Sequence, residues 1–208
     1  MSTIPFVAIE AEDVSAARAF YAEAFGLGER LRVRQSSDPS SGFRGFTLSL
    51  IASQPANVDA IVWAALEAGA STVTEPTKSL WGYGGVLRAP DGTVWQVSTS
   101  SKKDSAEPSR MVDEVVLLIA PEDVKASRGF YEERGYRVGK SMGKYVEFDM
   151  GSSPIGFGLY SRKALAKAAG VAPEGSGSHR LVIGTAGAAF TDPDGFEWAP
   201  AAAGGAEE

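Results

Sequence analysis

Two passages of this chain are written twice, in the same order. Glu12-Asp13-Val14-Ser15-Ala16-Ala17-Arg18-Ala19-Phe20-Tyr21 is followed about seventy residues on by Ala89-Pro90-Asp91-Gly92-Thr93-Val94-Trp95-Gln96. Glu122-Asp123-Val124-Lys125-Ala126-Ser127-Arg128-Gly129-Phe130-Tyr131 is followed by Asp192-Pro193-Asp194-Gly195-Phe196-Glu197-Trp198-Ala199. A helix carrying Phe-Tyr, then a Pro-Asp-Gly turn running into a strand with Trp, is an internal repeat. A repeat restricts the chain to architectures assembled from copies of one supersecondary unit.

Duplication within 208 residues implies two domains of about 100 residues each. At 44% hydrophobic and 22% charged, the chain can bury an ordinary core. No apolar run reaches the roughly 18 residues of a membrane span, and the start lacks a basic-then-apolar signal, so the expected location is cytoplasmic with no membrane partner. The absence of cysteine excludes disulfides, thiolate metal sites and a cysteine nucleophile. A net charge of −6 argues against a nucleic-acid footprint.

Hydrophobic periodicity divides the chain further. Residues 4–11 read as a strand with Phe6, Ala8 and Glu10 on one face and Val7, Ile9 and Ala11 on the other. Asp13 is placed to cap a helix from Val14, with Gly26 to stop it. Residues 31–34 alternate like a strand. A complete strand, helix and three strands then follow at 43–51, 58–68, 71–75, 84–89 and 93–98. The polar segment 101–110 reads as a linker between an N-terminal domain, 1–100, and a C-terminal domain, 111–200.

The second half repeats the order: strand 114–120, helix 124–134, and strands 136–140, 144–150 and 154–160. A short helix over 162–169, a strand over 179–183 and the second Pro-Asp-Gly hairpin complete it. Residues 201–208, rich in Ala and Gly, read as a disordered tail. Two complete modules thus lie between two abbreviated ones. The front module lacks room for two strands, and the last lacks room for its helix and one strand.

The Asp-Val-x-x-(Ala/Ser)-Arg-x-Phe-Tyr helix and the Pro-Asp-Gly-x-x-Trp hairpin resemble the vicinal oxygen chelate superfamily, which includes glyoxalase I, extradiol dioxygenases and bleomycin-resistance proteins. The runs Leu159-Tyr160-Ser161-Arg162-Lys163-Ala164-Leu165 and Phe43-Arg44-Gly45-Phe46 resemble segments of glyoxalase-like members, and the similarity extends over residues 4–199. The resemblance implies an α+β fold of tandem βαβββ modules, whose curved mixed sheets enclose a bowl with helices outside. It also implies that metal-dependent members carry His, Glu or Gln ligands on strands facing the bowl. The matching positions here hold Phe6, Val116, Gln96, Ala199, Phe43 and, near the last opening strand, His179, the one histidine of the chain. A divalent catalytic site uses three or more His or carboxylate ligands. No metal site is therefore expected, and no cofactor.

The candidates for chemistry are few. His179 and Glu197 sit on strands expected to be adjacent, and would form either an acid–base pair or a rim hydrogen bond. Glu10, facing the bowl by alternation, would orient a ligand or lie in water at the strand end. Gln96 offers a donor and an acceptor to a ligand. Phe6, Phe43, Trp81, Tyr83, Tyr145, Phe157 and Tyr160 are candidate aromatic walls, with Trp81 and Tyr83 on a Gly-rich loop; Trp95 and Trp198 read as core. Arg44 and Arg180, at matching places in the two halves, could grip an anion or equally be surface residues at strand starts. The expected function is metal-independent binding of a small apolar or aromatic molecule in the bowl. The alternatives are a lyase, isomerase or dioxygenase-like enzyme using Glu10 or His179 with Glu197, and a module whose bowl is filled by its own side chains. A homodimer is possible.

Overall fold

The structure, a computed structural model, describes residues 2–201. Of the expected 201–208 tail, residues 202–208 lie outside the described residues. Among the described residues no helix is long and apolar enough to cross a membrane.

Four modules follow one another. The first contains β1 (Val7–Ala11), α1 (Val14–Ala24), β2 (Leu31–Gln35) and the short β3 (Ser40–Gly42). The second contains β4 (Phe46–Ile51), α2 (Pro55–Glu67), β5 (Ser71–Ser79), β6 (Gly82–Arg88) and β7 (Val94–Thr99). The third repeats it with β8 (Glu114–Ile119), α3 (Val124–Glu133), β9 (Arg137–Met142), β10 (Tyr145–Asp149) and β11 (Ile155–Tyr160). Then come α4 (Arg162–Ala168), β12 (Gly175–Gly177), β13 (Leu181–Thr185), β14 (Phe190–Thr191) and β15 (Glu197–Pro200).

Local chemistry accounts for the helix starts. Asp13 accepts from the Ala16 amide and Asp123 from those of Lys125 and Ala126, so both repeated helices carry the side-chain cap their sequence encodes. α2 begins at Pro55, three residues before the expected start, because proline's missing N–H costs nothing in a first turn. β5 runs to Ser79 despite Pro76. It is an edge strand whose register shifts between Thr74 and Thr77, where a proline is tolerated.

The sheets do not follow the halves of the chain. β4 pairs antiparallel with β8, joining modules two and three into one eight-stranded sheet, ordered β5-β6-β7-β4-β8-β11-β10-β9. β1 pairs antiparallel with β13, joining the two abbreviated modules into a five-stranded sheet, β14-β15-β13-β1-β2. The cores cross the other way. Tyr21 of α1 and Phe25 at its C-cap pack on Trp95 of module two at ring distances of 5.6 and 4.7 Å. From α3, Tyr131 packs on Trp198 of module four at 5.6 Å. Each module thus shares a core with one neighbour and a sheet with another, which ties the halves together. Segment 101–110 has no regular structure, but Gln54 Oε1 accepts from the Ser105 and Ala106 amides at 2.7 and 2.8 Å, fastening it to the start of α2.

Candidate functional site

Strand alternation determines what each sheet offers on the face away from α1, α2 and α3. On the eight-stranded sheet Phe46, Leu48, Trp95, Val97, Leu117 and Phe157 are buried in the main core. Their alternates therefore form the concave face. Thr47 and Ser49 on β4 lie beside Leu118 and Val116 on β8; Gln96 and Ser98 on β7 lie beside Val86 and Gly84 on β6. Gly156, Gly158 and Tyr160 on β11 complete the floor, with Tyr145 and Glu147 on β10 beyond.

One end of this trough is occupied by the chain itself. Leu165 and Ala166 of α4 are buried against Phe43, Leu118, Ala120 and Tyr160, and Ala169 just beyond α4 is buried against Val86 and Val94. Phe43, a candidate ligand wall, is thus a contact for α4, and Arg162 donates to its carbonyl at 2.6 Å. The remainder of the trough is half-exposed along Ile51, Gly84, Gln96, Ser98, Val116 and Gly156. Gln96 lies in its middle, with Nε2 3.4 Å from the Thr47 hydroxyl and Oε1 left for another donor. Tyr145 and Tyr160 meet edge to face at 5.6 Å along one side. Burial and the neighbouring Glu147 push the Tyr145 hydroxyl up to about 12, so it is a neutral donor throughout the physiological range.

On the five-stranded sheet the corresponding face is buried at Phe6, Ala8, Glu10 and Val182. Phe6 faces the concavity as expected, but the Arg32 guanidinium stacks 3.9 Å above its ring. Arg34 donates to Glu10 at 2.7 Å and to Glu197 at 3.0 Å, binding two candidate acids to one cation. Burial opposes the Arg34 charge, and its bonds to Glu10 and Glu197 more than restore it. The alternation of β2 places Arg32 and Arg34 beside Ala8 and Glu10. That signal was present in residues 31–34, although neither arginine stood out as a bowl filler.

Three expectations are corrected by geometry. His179 does not pair with Glu197. Its Nδ1 lies 2.6 Å from the Arg44 carbonyl and its Nε2 2.9 Å from the Asp194 carbonyl, while its ring stacks on Phe196 at 3.8 Å. It precedes β13 and is turned toward the hairpin rather than the bowl. Tyr83 points to the helix side, since it alternates with Gly84 on the concave face, and donates to Asp59 of α2 at 2.7 Å. That bond is the first cause raising its hydroxyl to about 12. Trp81, 81% exposed at the β5–β6 turn, lines neither concavity.

The donors on the concave faces do not suit a divalent metal. The eight-stranded sheet offers Gln96, hydroxyls and the carboxylates of Glu114 and Glu147, the five-stranded sheet two arginines with their carboxylates, and among the described residues no three His, Asp or Glu gather to hold an ion. Fold and module order together define a tandem α+β protein with the vicinal oxygen chelate fold. Glyoxalase I from Zea mays is similar in structure, with a TM-score of 0.65 and 13% identity over 96% of this chain and 92% of that one. A glyoxalase/bleomycin resistance protein/dioxygenase family enzyme from Burkholderia phytofirmans matches 47% of this chain and 98% of its own, at 22% identity and a TM-score of 0.42. No family model matches the chain. A comparison with curated proteins finds no match.

Proposed function

We propose that the protein binds a small apolar or aromatic molecule, without a metal, in the open part of the eight-stranded trough. The observation that carries this reading is Gln96. It is a half-exposed amide with a spare acceptor, at the centre of a floor built from Gly84, Gly156, Ser49 and Ser98. Mostly apolar or featureless walls with one placed polar group are the usual composition of a small-molecule site. Small residues line the floor, and α4 closes one end. An acid–base reading is less well supported, because Arg34 holds both Glu10 and Glu197 and carbonyl contacts hold His179.

Titration with Nile red, a neutral aromatic dye, tests the reading. Saturable one-to-one binding is expected, unchanged by a chelator and abolished by Ser98→Phe, which fills the trough. Gln96→Ala should weaken it by about three- to tenfold, the loss of one hydrogen bond, with an unchanged melting temperature. Absence of saturable binding, or binding indifferent to Ser98→Phe, would leave the trough without a ligand.

A further inference from the structure

The module repeat supplies an internal control for a second place in the molecule. Where β1 ends, the Glu10 amide donates to the Arg180 carbonyl at 3.0 Å; where β8 ends, the Ala120 amide donates to the Gly45 carbonyl at 2.7 Å. These bonds relate two junctions, each formed by a strand end, the start of a Phe-Tyr helix and a Pro-Asp-Gly hairpin. Arg44 and His179 are equivalent too, each reaching the carbonyl of its own hairpin Asp.

The C-terminal junction is sealed. Asp194 accepts from the Glu122 amide at 2.8 Å and from the Ser127 hydroxyl at 2.7 Å, closing hairpin onto helix. Asp194 can do so because Asp192 takes the Tyr131 hydroxyl. In the N-terminal junction Ala89 stands where Asp192 does, and Ala17 stands where Ser127 does. Asp91 alone then serves the Tyr21 hydroxyl, at 2.6 Å, and nothing closes the gap. A cavity of 380 Å³ remains, walled by Ala16, Ala17, Phe20 and Pro90.

Two charged residues enter where the sealed junction has none. Glu10 replaces Ala120, and Arg180 replaces Gly45. Gly45 has φ +82° and Arg180 φ +55°, the one non-glycine residue with positive φ among those described, so a bulky cation is held in a conformation that favours glycine. Arg180 is 6% exposed and lines the cavity; its Nη1 donates to the Ser36 carbonyl at 2.6 Å and its Nη2 to Glu12 at 3.2 Å, while the buried Nε has no hydrogen-bond partner. Arg44, opposite, bonds only the Thr93 hydroxyl and the Asp91 carbonyl and has no carboxylate partner among the described residues. Burial, and then the nearby Arg180 and Arg88, lower its affinity for the proton, while Asp91 and Tyr21 raise it.

We infer that this cavity is a binding site for a small organic monocarboxylate, its carboxylate between Arg44 and Arg180 and its apolar body against Phe20, Ala17 and Pro90. The lining carboxylates already have partners. Glu10 is on Arg34, Asp13 on the Ala16 amide, and Asp91 on Tyr21 and the Thr93 amide. Glu12, with a side chain 76% exposed, reaches Arg180 at 3.2 Å and holds the place a ligand carboxylate takes. Four acidic residues around the cavity favour a single negative charge over a phosphate dianion.

Calorimetric titration of the full chain with benzoate, hexanoate and inorganic phosphate tests this site. Benzoate or hexanoate should bind one-to-one and more tightly than phosphate. Arg180→Gly should weaken binding at least about tenfold; glycine suits the backbone there, which offsets part of the loss of the bonds to the Ser36 carbonyl and Glu12. Glu12→Gln, at an exposed residue that does not threaten folding, should tighten binding about threefold by removing the internal competitor. Ser98→Phe, in the eight-stranded trough, should leave it unchanged, which separates this site from the trough. Tighter binding of phosphate, no binding of either carboxylate, or affinity unmoved by both Arg180→Gly and Glu12→Gln overturns the inference.

Discussion

Two tyrosines join the repeat together at the level of single atoms. Tyr21 donates to Asp91 at 2.6 Å and Tyr131 to Asp192 at 2.5 Å, each bond tying a helix of one module to the hairpin of the next. Burial first, and then the paired Asp, hold both hydroxyls well above the ordinary tyrosine range. The sign follows from linkage: a group harder to ionise when folded contributes stability that is complete below its unfolded value, about pH 10, and is lost as pH rises toward the folded value. Melting temperature should therefore fall above about pH 10. In the double variant Tyr21→Phe, Tyr131→Phe that fall should flatten, while each single substitution costs about 1–2 kcal/mol at neutral pH, read from urea midpoints. Asp91, Asp192 and both tyrosines were visible in the sequence as repeat members. Their pairing was not, because an Asp sits at different hairpin positions in the two copies, and only geometry shows which one meets the ring.

Among the elements, α4 changes the reading most. As a sequence it is a short Ala- and Lys-rich helix, and residues 162–169 announce nothing about where it lies. In the structure Leu165, Ala166 and Ala169 fill one end of the trough that the aromatic candidates were expected to line. Leu165→Ala should cost about 2–5 kcal/mol, the range for emptying a buried leucine site, and should raise Nile red capacity as the trough lengthens. Urea unfolding and dye titration of one preparation check both parts. If stability drops as stated while dye binding is unaffected, α4 braces the fold without shaping the trough.

The whole molecule is interleaved. β4 against β8 and β1 against β13 join strands from the two halves of the chain, with registers such as Phe46↔Ile119 and Val7↔Ile183. Boundaries at 100 and 111 thus mark halves of the sequence that do not own separate sheets. Fragments 1–101 and 102–208 should each lack cooperative unfolding when made alone. Co-expressed, they should recover a one-to-one complex with the circular dichroism of the intact chain. A fragment that unfolds cooperatively as a monomer would break this account.

The sequence by itself determined the module order, the capped starts of α1 and α3, the α+β class, and which residues of a strand share a face. Those properties are local: a cap needs its own helix, and a strand's alternation of period two assigns sides without knowing the partner. Alternation grouped Glu10 with Phe6 and Glu197 with Ala199, the resemblance turned those faces and Gln96 toward the bowl, and strand pairing sets all three on faces away from the helices. Only the tertiary structure decided which modules share a sheet, that Arg32 and Arg34 cover the Phe6–Glu10 face and α4 one end of the trough, and that His179 serves two carbonyls. These are contacts between residues far apart in the chain. Alternation specifies a face and never the edge it will pair with, so a side chain's chemistry is legible before its neighbour is.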